Sequence, residues 1–299
     1  MADIFQNPGR KPRVALVLKG GKGAGKDTLA AILKLIIGKR HVAHIEKPDL
    51  LTQRFNAHLA PAILVHVEEA YWAGAADKKG VLQALITSET MTVERKGVDP
   101  VTVDSYCRIL MTTNDRWVVP ASNDERRYAV LEVSNARTGD TAYFDPLYEE
   151  IHGDGSAAFL SYLLSVDLTN FKVTQVPQTN ALRDQKLAGL TGVPRWWFDL
   201  LHDGSLGFTP GDWVNGPLMV GRQDLRDHYE RFIRASRYQG EPVDRQQFGK
   251  ELRAILPSLQ DKRGRGDNGA RPWFYVIPPL KKCREEFSDW LKQTPDWDS

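Results

Sequence analysis

The sequence predicts an α/β fold followed by a small basic domain, and three observations carry that reading. An apolar run, Arg13-Val-Ala-Leu-Val-Leu18, passes through a glycine-rich turn into Thr28-Leu-Ala-Ala-Ile-Leu-Lys-Leu-Ile-Ile37, whose apolar residues recur at helical spacing. Further strand-like runs at 40–46, 62–67, 106–113 and 128–133 follow, with a helical pattern at 77–87 among them. Gly204 to Pro217 is then rich in Gly and Pro, and residues 222–292 beyond it carry sixteen Lys and Arg against eleven Asp and Glu. That excess is larger than the formal net charge of +2 of the whole chain, so this part is expected to face an anion.

The turn between the first strand and the first helix, Lys19 to Thr28, fits G-x-x-x-x-G-K with Gly20 and Gly25 as the fixed glycines and Lys26 as the lysine. Glycines let the backbone curl so that successive N–H groups point at a polyphosphate, and the helix N-terminus adds partial positive charge. Gly20, Gly21, Gly23, Ala24, Gly25, Lys26, Asp27 and Thr28 are the predicted nucleotide contacts, with Lys26 bridging the outer phosphates. Asp27 stands where Ser or Thr usually holds Mg²⁺, so that role passes to the Thr28 hydroxyl. A glycine turn without a ligand is the competing reading, and the flanking strand and helix argue against it.

With 299 residues, 41% hydrophobic and 26% charged, the chain can bury a full core and has room for two domains. No apolar run approaches the ~20 residues needed to cross a bilayer, and the start lacks the apolar core of a secretory signal. A cytoplasmic protein without membrane contact is expected. Cys107 and Cys283 have no metal-ligand spacing and read as reduced, structural thiols. His41, His44, His58 and His66 lack acidic or cysteine partners at recognisable spacing, which sets a metal cluster aside in favour of packed or solvated histidines.

Taken in order, Lys47-Pro48-Asp49 opens a helix through Leu50 to Leu59. The strand Ala62–Val67 ends in Glu68-Glu69, a pair suited to holding Mg²⁺ and activating water; Glu68 is assigned to the metal and Glu69 to the water, and exchanged roles fit equally. Capping of the next helix would also explain an acidic pair. Thr90–Arg95 and Val98–Val103 form a hairpin with Lys96-Gly97 at its tip, where a lysine can grip a phosphate or merely be solvated. Tyr106–Thr113 ends in Asn114, which can sense a terminal phosphate or make a turn. Arg126 and Arg127 precede the strand 128–133, placed to reach a phosphate across a subunit boundary or to form surface ion pairs.

Phosphate loop, Glu68-Glu69, Lys96-Gly97, Asn114 and Arg126-Arg127, together with Arg54-Phe55-Asn56, resemble in order and spacing the superfamily 3 helicases of phage and mobile-element primase-helicases. The resemblance covers roughly residues 8–200. It implies a AAA+-like P-loop NTPase core using ATP and Mg²⁺, with Lys26, Glu68, Glu69, Asn114 and Arg126 or Arg127 in catalytic roles and Thr28 and Glu68 at the metal. It implies a homo-hexameric ring on single-stranded and forked DNA, gripped by Lys96, working with a primase or replication initiator. The collar and primase portions of that family are not seen before residue 13, so ring assembly is expected to need them from elsewhere.

Downstream, 145–164 reads as one helix, and Pro194-Arg-Trp-Trp-Phe-Asp-Leu-Leu201 carries paired tryptophans that favour core packing over base stacking. The expected organisation is a lead-in at 1–12, the ATPase at 13–203, a linker at 204–221 and a winged-helix-like DNA-binding domain at 222–299. Helices at 222–236 and 244–256 precede a basic turn, so Arg245, Lys250 and Arg253 are expected to meet DNA from the second helix, and Lys262, Arg263 and Arg265 from the wing. A solvated helical cap is the plain alternative. Two other functions compete with the helicase. One is a nucleoside monophosphate or metabolite kinase, because Gly23–Thr28 also suits such a loop, and the other is a nucleotide-switched DNA-binding regulator.

Overall fold

The computed structural model describes residues 1–70, 76–115, 118–119, 121–209, 211–235, 241–264 and 271–297. Its backbone groups into two compact units, Met1–Ala121 with Glu125–Ala188, and Ser122–Asp124 with Gly189–Ser299. The Gly204–Pro217 stretch lies inside the second unit in this division, as does the tryptophan-bearing helix.

In the first unit a short helix α1 (Ala2–Gln6) precedes β1 (Ala15–Lys19), α2 (Lys26–Ile37), β2 (Val42–Ile45), β3 (Leu64–Val67) and α3 (Ala76–Thr87). A hairpin, β4 (Thr90–Arg95) and β5 (Val98–Asp104), leads to β6 (Arg108–Thr113) and β7 (Tyr128–Glu132), and then to α4 (Thr141–His152), α5 (Gly155–Ser165) and α6 (Asn180–Ala188). The sheet is five-stranded in the order β2-β3-β6-β1-β7, every pair parallel. Strands β3 and β6 are buried along their whole length, as central strands covered on both faces must be. Alternation divides them between two cores. Val17, Val65, Val67, Ile109, Met111 and Val130 pack with Leu82 and Ile86 of α3 and Leu182 of α6, while Leu18, Leu64 and Leu110 pack with Ala30 and Leu33 of α2 and Ile4 of α1.

Three local expectations change. Residues 50–59 are not one helix but two 3₁₀ turns, Pro48–Leu51 and Ala57–Leu59. Asn56 between them donates to Thr92 O at 2.8 Å and accepts from Glu94 N at 2.9 Å, so its amide serves the backbone of β4 instead of a helix. Residues 145–164 divide into α4 and α5 at Gly153, whose N–H bonds back to Glu149 and Glu150 carbonyls and ends the first helix. The lead-in at 1–12 is built into the core: buried Arg108 donates to the carbonyls of Asn7 at 2.6 Å and Arg10 at 2.8 Å, tying this segment to β6.

The second unit contains α7 (Gly192–Asp203), β8 (Leu218–Gly221), α8 (Arg222–Ala235), α9 (Arg245–Ile255), β9 (Gln260–Arg263), β10 (Trp273–Ile277) and α10 (Leu280–Leu291). Its antiparallel sheet has the order β8-β10-β9. Val193, Trp196, Trp197, Leu200 and Leu201 share the buried face of α7. Trp196 meets the rings of Tyr229 and Phe248 at 5.7 and 5.6 Å and donates its N–H to His228 Nδ1 at 2.9 Å, so the tryptophan pair belongs to this core. Asp244 caps α9 by accepting from Gln246 N and Gln247 N. Cys107 and Cys283 are both buried free thiols. Among the described residues no helix is long and apolar enough to cross a membrane.

Candidate functional site

Parallel order puts the segments that follow β1, β3, β6 and β7 at one edge of the sheet. The chain reverses direction across the sheet between β1 and β6, and the carboxyl edge at such a reversal is where open α/β sheets form a crevice. In the loop that leaves β1, Gly23 and Gly25 have φ of +74° and +87°, a left-handed conformation open to glycine at little cost. Gly25 also lacks room for a side chain, since an added Cβ would lie 2.6 Å from the Phe144 ring.

Lys26, the first residue of α2, is only 7% exposed and turns back across this loop. Its Nζ donates to Gly20 O at 3.0 Å, Gly21 O at 2.6 Å and Asn114 Oδ1 at 2.7 Å. All three acceptors are neutral, and among the described residues no carboxylate pairs with the ammonium. Asn114 reaches it because β6 is the direct neighbour of β1. Asn135, beyond β7, accepts from Gly21 N at 2.9 Å and fixes the loop from the other side.

Thr28 Oγ1 lies 3.1 Å from the hydroxyl of Tyr148. Tyr148 and Phe144 are one turn apart on α4 and, with Gly23, Gly25, Lys26 and Asp27, line a cavity of about 270 Å³. Sequence reasoning missed Asn135, Phe144 and Tyr148. The i, i+4 spacing of the two rings was legible as a helix face, but nothing in it says that the face meets the loop.

Glu68 extends the pairing of β3, donating its N–H to Ile45 O at 2.9 Å, and its Oε2 lies 2.8 Å from His44 Nε2. His44 stacks on His66 with centroids 5.2 Å apart, and His66 Nε2 lies 3.1 Å from Thr112 Oγ1 and 3.9 Å from Asp27 Oδ1. Burial, with a lesser contribution from His44, holds the His66 imidazole below its usual pKa and so favours its neutral form. Glu69 is exposed with φ of +48°, a conformation that costs a non-glycine residue about 1 kcal/mol or more. Backbone bonds from Glu68 N to Ile45 O and from Ala70 N to Thr112 O hold it there. The crevice thus gathers the loop 20–28 and Asn114, with Glu68 and Glu69 at the end of β3 on the far side of β6. Its buried ammonium suits an anion, and among the described residues no group of three or more His, Cys, Asp and Glu side chains is placed to hold a metal ion.

The other predicted residues lie elsewhere. Arg127 O accepts from Ala15 N at the start of β1, so Arg126 and Arg127 sit at the opposite edge of the sheet, a strand's length or roughly 16 Å from the loop. Arg126 is exposed, and Arg127 pairs with buried Glu125 at 3.5 Å. Lys96 is exposed at the tip of the β4–β5 hairpin beside Gly97, whose φ is +74°. In the second unit, Arg245 and Lys250 are exposed on α9, and Lys262 and Arg263 on β9. Arg253 is engaged by Asp261, donating at 3.0 and 2.8 Å to its two oxygens. Arg265 lies outside the described residues.

The profile of a family of unknown function (DUF5906) matches residues 18–127, the stretch from the end of β1 to Arg127. A curated relative, the DNA primase-polymerase of Nitratiruptor phage NrS-1, is 27% identical over 179 residues. That alignment covers 59% of this chain and 24% of the relative, about a quarter of its length. Among solved structures, the apo NrS-1 C terminal region (305-718) is similar with a TM-score of 0.69 at 19% identity, over 92% of this chain and 69% of that one. An A form apo structure of the same region gives 0.67 at 18% identity, over 93% and 69%. The chain therefore shares its α/β fold, built on a parallel sheet, with the C-terminal region of a phage primase-polymerase and is similar in sequence to that protein.

Proposed function

We propose that this chain is an ATP-dependent, superfamily 3-like DNA helicase serving the replication of a phage or mobile element. The observation that carries the reading is Lys26: a buried ammonium, free of any described carboxylate, inside a loop whose Gly23 and Gly25 take left-handed backbone. Taking a charge out of water is costly unless an opposite charge arrives, and a nucleotide polyphosphate supplies one. In this reading the first unit is a P-loop NTPase core, with Gly20 to Thr28 holding ATP and Asn114 at the terminal phosphate. Thr28 and Glu68 would hold Mg²⁺, a hard cation that takes one or two protein oxygens and completes its shell with phosphate and water, on leaving their present partners Tyr148 and His44. The metal would neutralise phosphate charge. Glu69, at a strand end and open to solvent, would orient or deprotonate the attacking water.

Arg126 and Arg127 stand too far from their own loop to serve it, which favours action on the site of a neighbouring copy, as in a hexameric ring. The order α7-β8-α8-α9-β9-β10 with β8 and β9 flanking β10 supports a winged helix, with α9 presenting Arg245 and Lys250 to DNA and β9 presenting Lys262 and Arg263. Lys96 on its hairpin suits a phosphate of the bound strand. Likeness to a phage primase-polymerase supports a replication setting, with primase activity fused or supplied by a partner.

The test is ATP hydrolysis with and without single-stranded DNA over a range of protein concentrations. DNA-stimulated rates that rise faster than linearly with protein, and are lost in Lys26→Ala, are expected. Phosphate transfer to a nucleoside monophosphate would replace the helicase with a kinase. Slow turnover indifferent to DNA would replace it with a nucleotide-switched regulator.

A further inference from the structure

We infer that Trp273 is a stacking platform for an unpaired nucleobase, making the β9–β10 ribbon a reader of single-stranded nucleic acid and not only a contact to duplex backbone. This rests on the reading of the second unit as a DNA-binding domain, and names the substrate form that one edge of it takes.

Among the described residues Trp273 is the exposed tryptophan, at 43%, whereas Trp196, Trp197 and Trp213 are at 3% or less. An indole left in water at the start of a strand is a poor structural choice, because it forgoes the burial that Trp196, Trp197 and Trp213 obtain. Its surroundings are built. Antiparallel register sets Trp273 opposite Arg263 and Tyr275 opposite Asp261, so these four share one face of the ribbon. Arg222, from the first turn of α8, lies over both rings, 4.8 Å from the Trp273 centroid and 5.0 Å from that of Tyr275. Arg253 lies over Tyr275 at 5.5 Å and Arg263 over Trp273 at 5.2 Å. Three guanidinium groups and two rings therefore alternate in one array.

The two ends of that array differ. At the inner end Tyr275 is buried, and the Asp261 carboxylate binds both Arg222 and Arg253. At the outer end Trp273 and Arg263 are exposed, and among the described residues Arg263 has no carboxylate partner. The inner half holds the indole in a fixed attitude, and at the outer half the exposed indole carries a cation, Arg263, that among the described residues has the ring but no carboxylate as its partner. A nucleotide supplies what is missing there, a planar base for the indole and a phosphate for Arg263, which exchanges its place on the ring for the anion. Bases are available for such contact only when unpaired, since in duplex they stack on each other.

The experiment measures binding of the full chain to a fluorescently labelled oligothymidylate, to the same backbone carrying abasic sites, and to a hairpin duplex, each over a salt series. Trp273→Ala is expected to weaken oligothymidylate binding by about tenfold, given the usual value of one base–aromatic stack. Its salt slope, its duplex binding and its abasic binding should stay unchanged, and Trp273→Phe should recover most of the loss. Arg263→Ala should instead lower the salt slope by about one, the signature of a lost phosphate contact. Equal binding of wild type and Trp273→Ala to oligothymidylate would overturn the stacking role while leaving a DNA-binding domain in place. Failure of the wild type to bind any of the three would overturn the platform together with the DNA reading on which it rests.

Discussion

Lys26 in the first unit and Arg253 in the second are both cations drawn in toward their own backbone, and their partners differ in kind. Lys26 is met by two carbonyls and an amide oxygen, whereas Arg253 is met by the carboxylate of Asp261, which it shares with Arg222. Burial of Asp261 works against its ionisation, yet hydrogen bonds from Arg222 and Arg253 outweigh it and hold the carboxyl below its usual range. A cation with its counter-ion in place is part of the framework. One with neutral partners alone is poised for an anion from outside, and this separates the two otherwise similar basic regions.

The comparison predicts opposite phenotypes. Lys26→Ala should lower the rate of ATP hydrolysis by about a hundredfold or more, the usual cost of removing a charged donor from a transition state, with little change in the thermal midpoint. If hydrolysis survives, the neutral shell around Lys26 is merely structural and the contrast collapses. Asp261→Asn should do the reverse. It leaves Arg222 and Arg253 facing each other without a carboxylate, and urea unfolding should show a loss of about 1–2 kcal/mol, modest because the group is partly exposed, with hydrolysis retained.

Smaller effects sharpen the picture at the loop. Tyr148→Phe frees the Thr28 hydroxyl from a competing hydrogen bond, so the Mg²⁺–nucleotide concentration for half-maximal hydrolysis should fall by about two- to tenfold. An increase would mean that Tyr148 helps to hold the ligand. The smallest effect concerns His66. Because its folded pKa is lowered, the unfolded chain binds the proton more readily; its contribution to stability is complete above about pH 6.5 and is lost as pH falls below that toward the folded value. His66→Gln should therefore make the decline of thermal midpoint between about pH 7 and 5 shallower. Part of the decline should remain, because burial lowers His58 and His228 in the same way.

Much of the first unit was legible in the sequence because its signals are local. Apolar runs bounded by turns become buried strands, and glycines at 23 and 25 mark left-handed backbone wherever the chain goes next. Other signals were misread for equally physical reasons. Arg54-Phe55-Asn56 reads as helix until the Asn56 amide is seen bonding β4, 36 to 38 residues away, and the polar segment 1–12 reads as a tail until Arg108 gathers its carbonyls.

The sequence by itself determined the strand–loop–helix with Lys26, the acidic pair ending one strand, the amide ending another and the basic excess after residue 222, since each depends on neighbours in the chain. Only the tertiary structure decided who meets whom. Sheet order brought Asn114 to Lys26 and sent Arg126 and Arg127 to the opposite edge; packing of α4 set Phe144 and Tyr148 on the loop; antiparallel register joined Trp273 to Arg263. Contacts of that kind follow from the burial of whole faces, a property of the folded chain that no short stretch of it carries.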